Sequence, residues 1–192
     1  MKKLLITGFD CFGSNTINPS WEAVRNLPDQ IGEYALCKLQ IPTVFGKAAQ
    51  AVLSQAELFQ PDIILCIGLA GGRDAVTPER IAVNIRDARI SDNEGNQSTG
   101  APICPDGPAA YFATVPVADM SAAICAADIP GSVSNTAGTF VCNDTLYTLL
   151  HHYAGSSVQV GFIHVPQLPE QGMPSLSLED TVTALIAAVK AI

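Results

Sequence analysis

The chain has 192 residues, 48% of them hydrophobic and only 15% charged, with a mean hydropathy of +0.27; this excludes a disordered segment and supports one domain, residues 1–192, with a sizeable core. The net charge is −8, from 10 Lys and Arg against 18 Asp and Glu, and Lys2–Lys3 is the only adjacent basic pair, so the cationic surface that neutralises nucleic-acid phosphates is missing. No apolar run approaches the roughly 20 residues that cross a bilayer, and the N-terminal run stops at Thr7 and Gly8, just before Asp10, too soon for a secretory signal; a cytoplasmic protein without nucleic-acid or membrane partners is expected, and so few surface charges favour a homo-oligomer.

In chain order, residues 2–9 (KKLLITGF) read as a buried strand. Residues 19–27 (PSWEAVRNL) read as a helix capped by Asn18, with Pro19 in its first position. A strand is predicted at 34–42, an amphipathic helix at 44–59 closed by Pro61, and a second buried strand at 62–68 leading into the Gly-rich turn GLAGGR (68–73). Residues 79–90 alternate, Ile81, Val83 and Ile85 facing one way and Arg80, Ala82, Asn84 and Arg86 the other, as in a half-exposed strand. Residues 91–110 carry so many turn residues that they read as a long loop, a length usual for functional or disordered segments. A helix at 120–128, a short strand at 131–136, a helix at 142–154, a third buried strand at 158–166 and a helix at 178–192 complete the series. Buried strands alternating with helices imply an α/β fold, its twisted sheet mostly parallel and flanked by helices on both faces. Sites in such sheets gather at the carboxyl ends of strands, where Phe9, Leu69, Arg73, Asn135 and His164 fall.

Six cysteines (11, 37, 66, 104, 125 and 142) form no CxxC pair and read as reduced thiols. His151 and His152 diverge on a helix, with no further ligand at metal spacing. Cys142 stands at a helix start, where unpaired amides and the macrodipole favour a thiolate and can hold an oxyanion; a buried structural thiol is the other reading of that position. His164 ends an otherwise apolar strand, and the head of the preceding helix opens toward the same sheet edge, so His164 can serve Cys142 as a base. A third group would orient the imidazole; Asp10, Asp74, Glu79, Asp87, Asp92 and Glu94 all qualify, and spacing does not choose among them. Of Arg86 and Arg89, one could meet an oxyanion or a substrate carbonyl; the alternative is pairing with Asp87, Asp92 or Glu94. Phe9 and Phe12 could line a slot for a flat ring or pack beneath a loop. GLAGGR lacks the dinucleotide pattern GxGxxG and is a weak phosphate signal.

Six stretches in order, TGFDCFG, NPSWEAV, GLAGGR, PERIAVNIRDARISDNEG, SNTAGTFVCN and GFIHVPQLPEQ, run through essentially the whole chain. Together they resemble the pyroglutamyl peptidase I (pyrrolidone-carboxylate peptidase) family of cytosolic cysteine peptidases. The resemblance implies Cys142 as nucleophile, His164 as base and Glu79 as third member. It implies Arg89 on the oxyanion with the Cys142 amide, Phe9 and Phe12 around the pyroglutamyl ring, and Asn18 and Val141 contacting or shaping the lactam pocket. At Leu69, where some relatives carry Gln, only the backbone can serve the lactam; Cys11 stands where Pro is common. The implied substrates are N-terminally pyroglutamylated peptides, cleaved through a thioacyl intermediate without metal or cofactor on a phosphorylase/hydrolase-like fold, in a homotetramer. The competing readings are a nucleoside phosphorylase-like enzyme holding phosphate at GLAGGR and a non-catalytic lactam-binding oligomer.

Overall fold

The computed structural model describes residues 1–13 and 15–192. In chain order its elements are β1 (Lys2–Phe9), α1 (Pro19–Arg25), β2 (Gln30–Ile31), β3 (Tyr34–Ile41), α2 (Lys47–Phe59), β4 (Ile63–Leu69), β5 (Thr77–Pro78), β6 (Ile81–Val83), β7 (Ala110–Phe112), α3 (Val117–Ala126), α4 (Val141–His152), β8 (Gln159–Val165), a 3₁₀ turn (Pro169–Gln171) and α5 (Leu178–Lys190). The sheet runs β2-β3-β1-β4-β8-β5. Its four central strands are parallel, and the short edge strands β2 and β5 are antiparallel.

Helices cover both faces, as the alternation of elements predicts. On one face Ala23 and Val24 of α1, Met120 and Ile124 of α3, and Ala184, Leu185 and Ala188 of α5 pack on Leu4, Ile6, Leu65 and Ile67. On the other, Val52 of α2 and Leu146 and Leu149 of α4 pack on Leu5, Ile64 and Phe162. Each fully buried Leu, Ile or Phe contributes about 1.5–3 kcal/mol of transfer energy, which is why central strands buried on both faces read as continuous apolar runs.

The N-terminus of α1 forms as its sequence predicts. Asn18 Oδ1 accepts from Ser20 N at 3.1 Å and Ser20 Oγ at 2.8 Å, and Pro19 occupies the first turn. Gly8 lets this helix lie against β1, since a Cβ there would stand 2.6 Å from the Trp21 Cα. Helix α2 starts at Lys47 rather than residue 44, because Gly46 sits at φ +72°, outside helical space. Helix α3 starts earlier than expected, at Val117, following Pro116.

Two expected strands change. The strand predicted at 79–90 shrinks to Ile81–Val83, paired with β7 in a separate two-stranded ribbon. At its end the Asn143 side chain accepts from Val83 N at 2.9 Å and donates to the carbonyls of Val83 (2.9 Å) and Ile85 (3.1 Å), and past Val83 the pairing thins to Asn84 N on Ala109 O and an isolated bridge of Arg86 with Ala101. The buried face is also the opposite one. Ala82 packs fully buried in the α4-side core, while Ile81 and Val83 are half-buried and Phe112, paired with Ile81, is 68% exposed. The short strand predicted at 131–136 reduces to isolated bridges, Gly131 with Val76 and Ser134 with Glu79. The loop expected over 91–110 stays irregular until β7 begins at Ala110. It is fastened by Asp92, whose carboxylate accepts from the amides of Phe45, Glu94 and Asn96.

Candidate active site

Register brings the chemistry together. Parallel pairing of β4 with β8 sets Gly68 beside His164 at the carboxyl end of the sheet. A Cβ on Gly68 would stand 3.1 Å from Cys142 Sγ and 2.7 Å from the Phe162 ring, so the glycine makes room for the thiol over the strand that flanks the histidine. Gly68→Ala is therefore expected to cost about 1–3 kcal/mol by overpacking and to lower kcat by displacing the sulfur. Thermal unfolding and steady-state kinetics check this; wild-type values in both would contradict the tight fit.

Cys142 is the second residue of α4. The turn before it uses Gly138 at φ +76°, a conformation that favours glycine. No side chain caps this helix, and the first intrahelical bond runs from Asp144 N to Phe140 O. The amides of Val141, Cys142 and Asn143 therefore precede the ladder and are available as donors to an anion.

His164 is buried, and its Nδ1 lies 2.7 Å from Glu79 Oε1. That contact selects Glu79 from the six carboxylates. Asp10 accepts from Thr43, Asp92 fastens the long loop and Glu94 pairs with Lys47, while Asp74 and Asp87 are exposed. Glu79 arrives at this place because β5 pairs antiparallel with β8, Thr77 opposite His164, and Glu79 N donates to Phe162 O.

The sequence reading missed the role of Arg73. Its Nη1 donates to Glu79 Oε1 at 2.7 Å and to Thr77 Oγ1 at 2.5 Å, and its Nη2 to Thr136 O at 3.1 Å. The only signal was its place after a Gly-rich turn at a strand end. The phosphate reading of GLAGGR falls with this arrangement, since no helix follows the turn and the arginine is spent on Glu79.

These charges set the resting protonation. Burial pushes the Cys142 thiol up to about 12, the Glu79 carboxylate and Cys66 add to the rise, and Arg73 and the helix-start amide oppose it; the residue itself is only half-buried and opens on a cavity, so water tempers the shift. Burial also pulls His164 below its usual range against the pull of Glu79. Burial alone would raise Glu79, but its hydrogen bonds with His164 and Arg73 hold it below the ordinary carboxylate range. Ser134 sits beside it while its hydroxyl donates to Thr136 O, leaving the buried Glu79 Oε2 without a partner in this geometry, among the described residues. Desolvation and the neighbouring carboxylate thus oppose the thiolate that the helix start favours, and burial disfavours a charged imidazole beside it.

Cys142 opens on a cavity of about 240 Å³ whose walls include Phe9, Phe12, Thr43 and Phe140. Phe12 and Phe140 stand 5.4 Å apart between ring centroids. Asn18 also lines it, but its amide is engaged with Asp10 O and Ser20, so it shapes the wall. Val141 is fully buried in the α4-side core and its neighbour Phe140 lines the cavity instead. Leu69 and Gly71 continue into an adjoining cavity of about 610 Å³ walled by Asp87, Arg89 and Gly138. Arg89 therefore stands exposed across a shared rim from Cys142. Arg86 is not at the site; its Nε donates to the buried Asp144 at 2.5 Å, whose other oxygen accepts from Gly46 N at 2.8 Å. Asp144 and Asn143, also missed, anchor the first turn of α4 to α2 and β6; the polar pair inside an apolar helical pattern was their only signal. Cys11 lies on the exposed β1–α1 loop, its thiol donating to Thr16 O.

Among the described residues, no cluster of His, Cys, Asp and Glu could hold a metal ion, and no helix is long and apolar enough to cross a membrane.

The pyroglutamyl peptidase family model matches residues 2–192. The pyrrolidone-carboxylate peptidase of Levilactobacillus brevis is 51% identical, across 99% of this chain and 97% of that protein; that of Bacillus subtilis is 50% identical, across 99% and 92%. The crystal structure of pyroglutamyl peptidase I from Bacillus amyloliquefaciens superposes with a TM-score of 0.95 at 47% identity, covering 100% of this chain and 97% of that one.

Proposed function

The chain belongs to the pyroglutamyl peptidase family, a cysteine peptidase that removes N-terminal pyroglutamate from peptides, and we propose that Cys142, His164 and Glu79 carry out that reaction. The observation that carries this reading is the Glu79–His164 contact of 2.7 Å beside the glycine that makes room for the Cys142 sulfur.

The lactam ring enters the aromatic cavity with its scissile carbonyl over Cys142. His164 Nε2 takes the thiol proton during attack, while Glu79 keeps Nδ1–H in place and stabilises the imidazolium. The oxyanion is held by the amides at the head of α4, with Arg89 reaching across the rim. His164 then protonates the leaving amine, and water attacks the thioacyl enzyme with His164 again as base, releasing pyroglutamate and the thiol. Phe9 and Phe12 form the ring slot, Asn18 and Leu69 its polar and apolar walls, and Val141 supports it from the core.

No charged side chain is among the residues lining the Cys142 cavity, which suits a neutral lactam and penalises a free ammonium group. A pyroglutamyl p-nitroanilide should therefore be cleaved with kcat/KM about 10³-fold or more above the prolyl analogue, which carries a charged ring amine and no lactam carbonyl. Comparable rates on both would overturn the assignment. The same reading carries assembly as a homotetramer and a cytoplasmic location; the outward apolar face of β6–β7, with Phe112, supports a subunit contact, and six free cysteines support a reducing compartment.

A further inference from the structure

Outside the site just described, the cysteines have different neighbours. The thiols of Cys11 and Cys125 donate to backbone carbonyls, of Thr16 at 3.1 Å and Gly131 at 3.2 Å. Cys37 meets the Gln55 amide at 3.5 Å, and Cys66 is fully buried. Cys104 alone among these faces a nitrogen base: its Sγ lies 3.5 Å from His151 Nε2.

That base is held in place. His151 Nδ1 lies 2.8 Å from Tyr111 Oη, and the imidazole stacks on the Tyr147 ring at 6.1 Å and 8°. Cys104 is equally fixed, because Asn84 Oδ1 accepts from the amides of Ile103 (2.8 Å) and Cys104 (2.9 Å) while Asn84 Nδ2 donates to Cys104 O (2.7 Å). His151 is exposed and Cys104 half-buried, so solvent reaches the pair. The arrangement repeats the thiol–imidazole–orienting-oxygen logic of a nucleophilic site on the opposite end of α4.

We propose that Cys104 is a second activated thiol, with His151 as its base and Tyr111 orienting the imidazole, and that it undergoes exchange with small neutral disulfides. With Nδ1–H donating to the Tyr111 oxygen, Nε2 presents its lone pair to the thiol. Cys104 gives its proton to Nε2 and its sulfur attacks one sulfur of the disulfide. A new S–S bond forms as the old one breaks, and the departing sulfur leaves as a thiol with the proton returned by His151. Cys104 is oxidised as the departing half is reduced, with no other oxidant needed.

The test exposes the full chain to hydroxyethyl disulfide and follows each cysteine by peptide mass mapping. Cys104 should react about tenfold faster than the more exposed Cys11 and Cys125, less than the ~100-fold of a base in a desolvated active site because this pair is open to water. His151→Gln should bring Cys104 down to the rate of the other two while leaving their rates and peptidase activity unchanged, and Tyr111→Phe should slow Cys104 by a smaller factor. A wild-type Cys104 no faster than Cys11 overturns the proposal without any variant. So does a fast Cys104 that keeps its rate in folded, active His151→Gln.

Discussion

Cys142→Ala should lose pyroglutamyl-amide hydrolysis, kcat falling about 10⁴-fold or more, as removal of a nucleophile does elsewhere. Among the described residues the sulfur is the one thiol lining the cavity against Phe9 and Phe12, and the Thr43 hydroxyl there is engaged with Asp10. The change is otherwise mild. Removing one sulfur beside Gly68 leaves a void smaller than a methylene pair, costing about 1 kcal/mol, and the ring slot keeps every wall. Binding and turnover should therefore separate: the variant should still bind pyrrolidone with the wild-type Kd. Cys11→Ala should stay active, since its thiol sits on the exposed loop bound to Thr16 O. A double Cys142→Ala, His164→Ala variant should be no slower than the single one, because the two act as a unit. Substantial activity in Cys142→Ala, or loss confined to Cys11→Ala, would place the nucleophile elsewhere.

Glu79→Gln should be the next most damaging change, lowering kcat about 10³–10⁴-fold with little effect on KM. Glu79 Oε1 is shared by His164 Nδ1 and Arg73 Nη1. A glutamine can offer one oxygen to that pair but no charge to the imidazolium, and turned the other way its NH₂ would force the wrong histidine tautomer. Arg73 would also lose its carboxylate partner, costing about 1–3 kcal/mol of stability. Histidine ¹⁵N shifts distinguish tautomer loss from simple unfolding. Activity within about tenfold of wild type, below even the weakest base contribution, would show that His164 needs no orienting carboxylate.

Much of this arrangement is local and so legible. Strands buried on both faces must be continuous apolar runs, which is why β1, β4 and β8 stand out. Asn18 and Pro19 announce a helix start through their own backbone chemistry. The ordered motifs, whose likeness to the pyroglutamyl peptidase family the comparisons bear out, point to Cys142, His164 and Glu79. The alternation over 79–90 misled because Asn143, about 60 residues away, takes the backbone of Val83 and Ile85, and because Ala82, not its branched neighbours, faces the α4-side core.

The sequence by itself determined the strand–helix order, the apolar core and the position of a cysteine at a helix start, because each is written in spacings of a few residues. Only the tertiary structure showed the contact by which Glu79 meets His164, that Arg73 shares that carboxylate and that Arg86 serves Asp144 instead. Glu79 and His164 are 85 residues apart. Their meeting depends on strand register and burial, which determine distance and dielectric, and no local pattern encodes either.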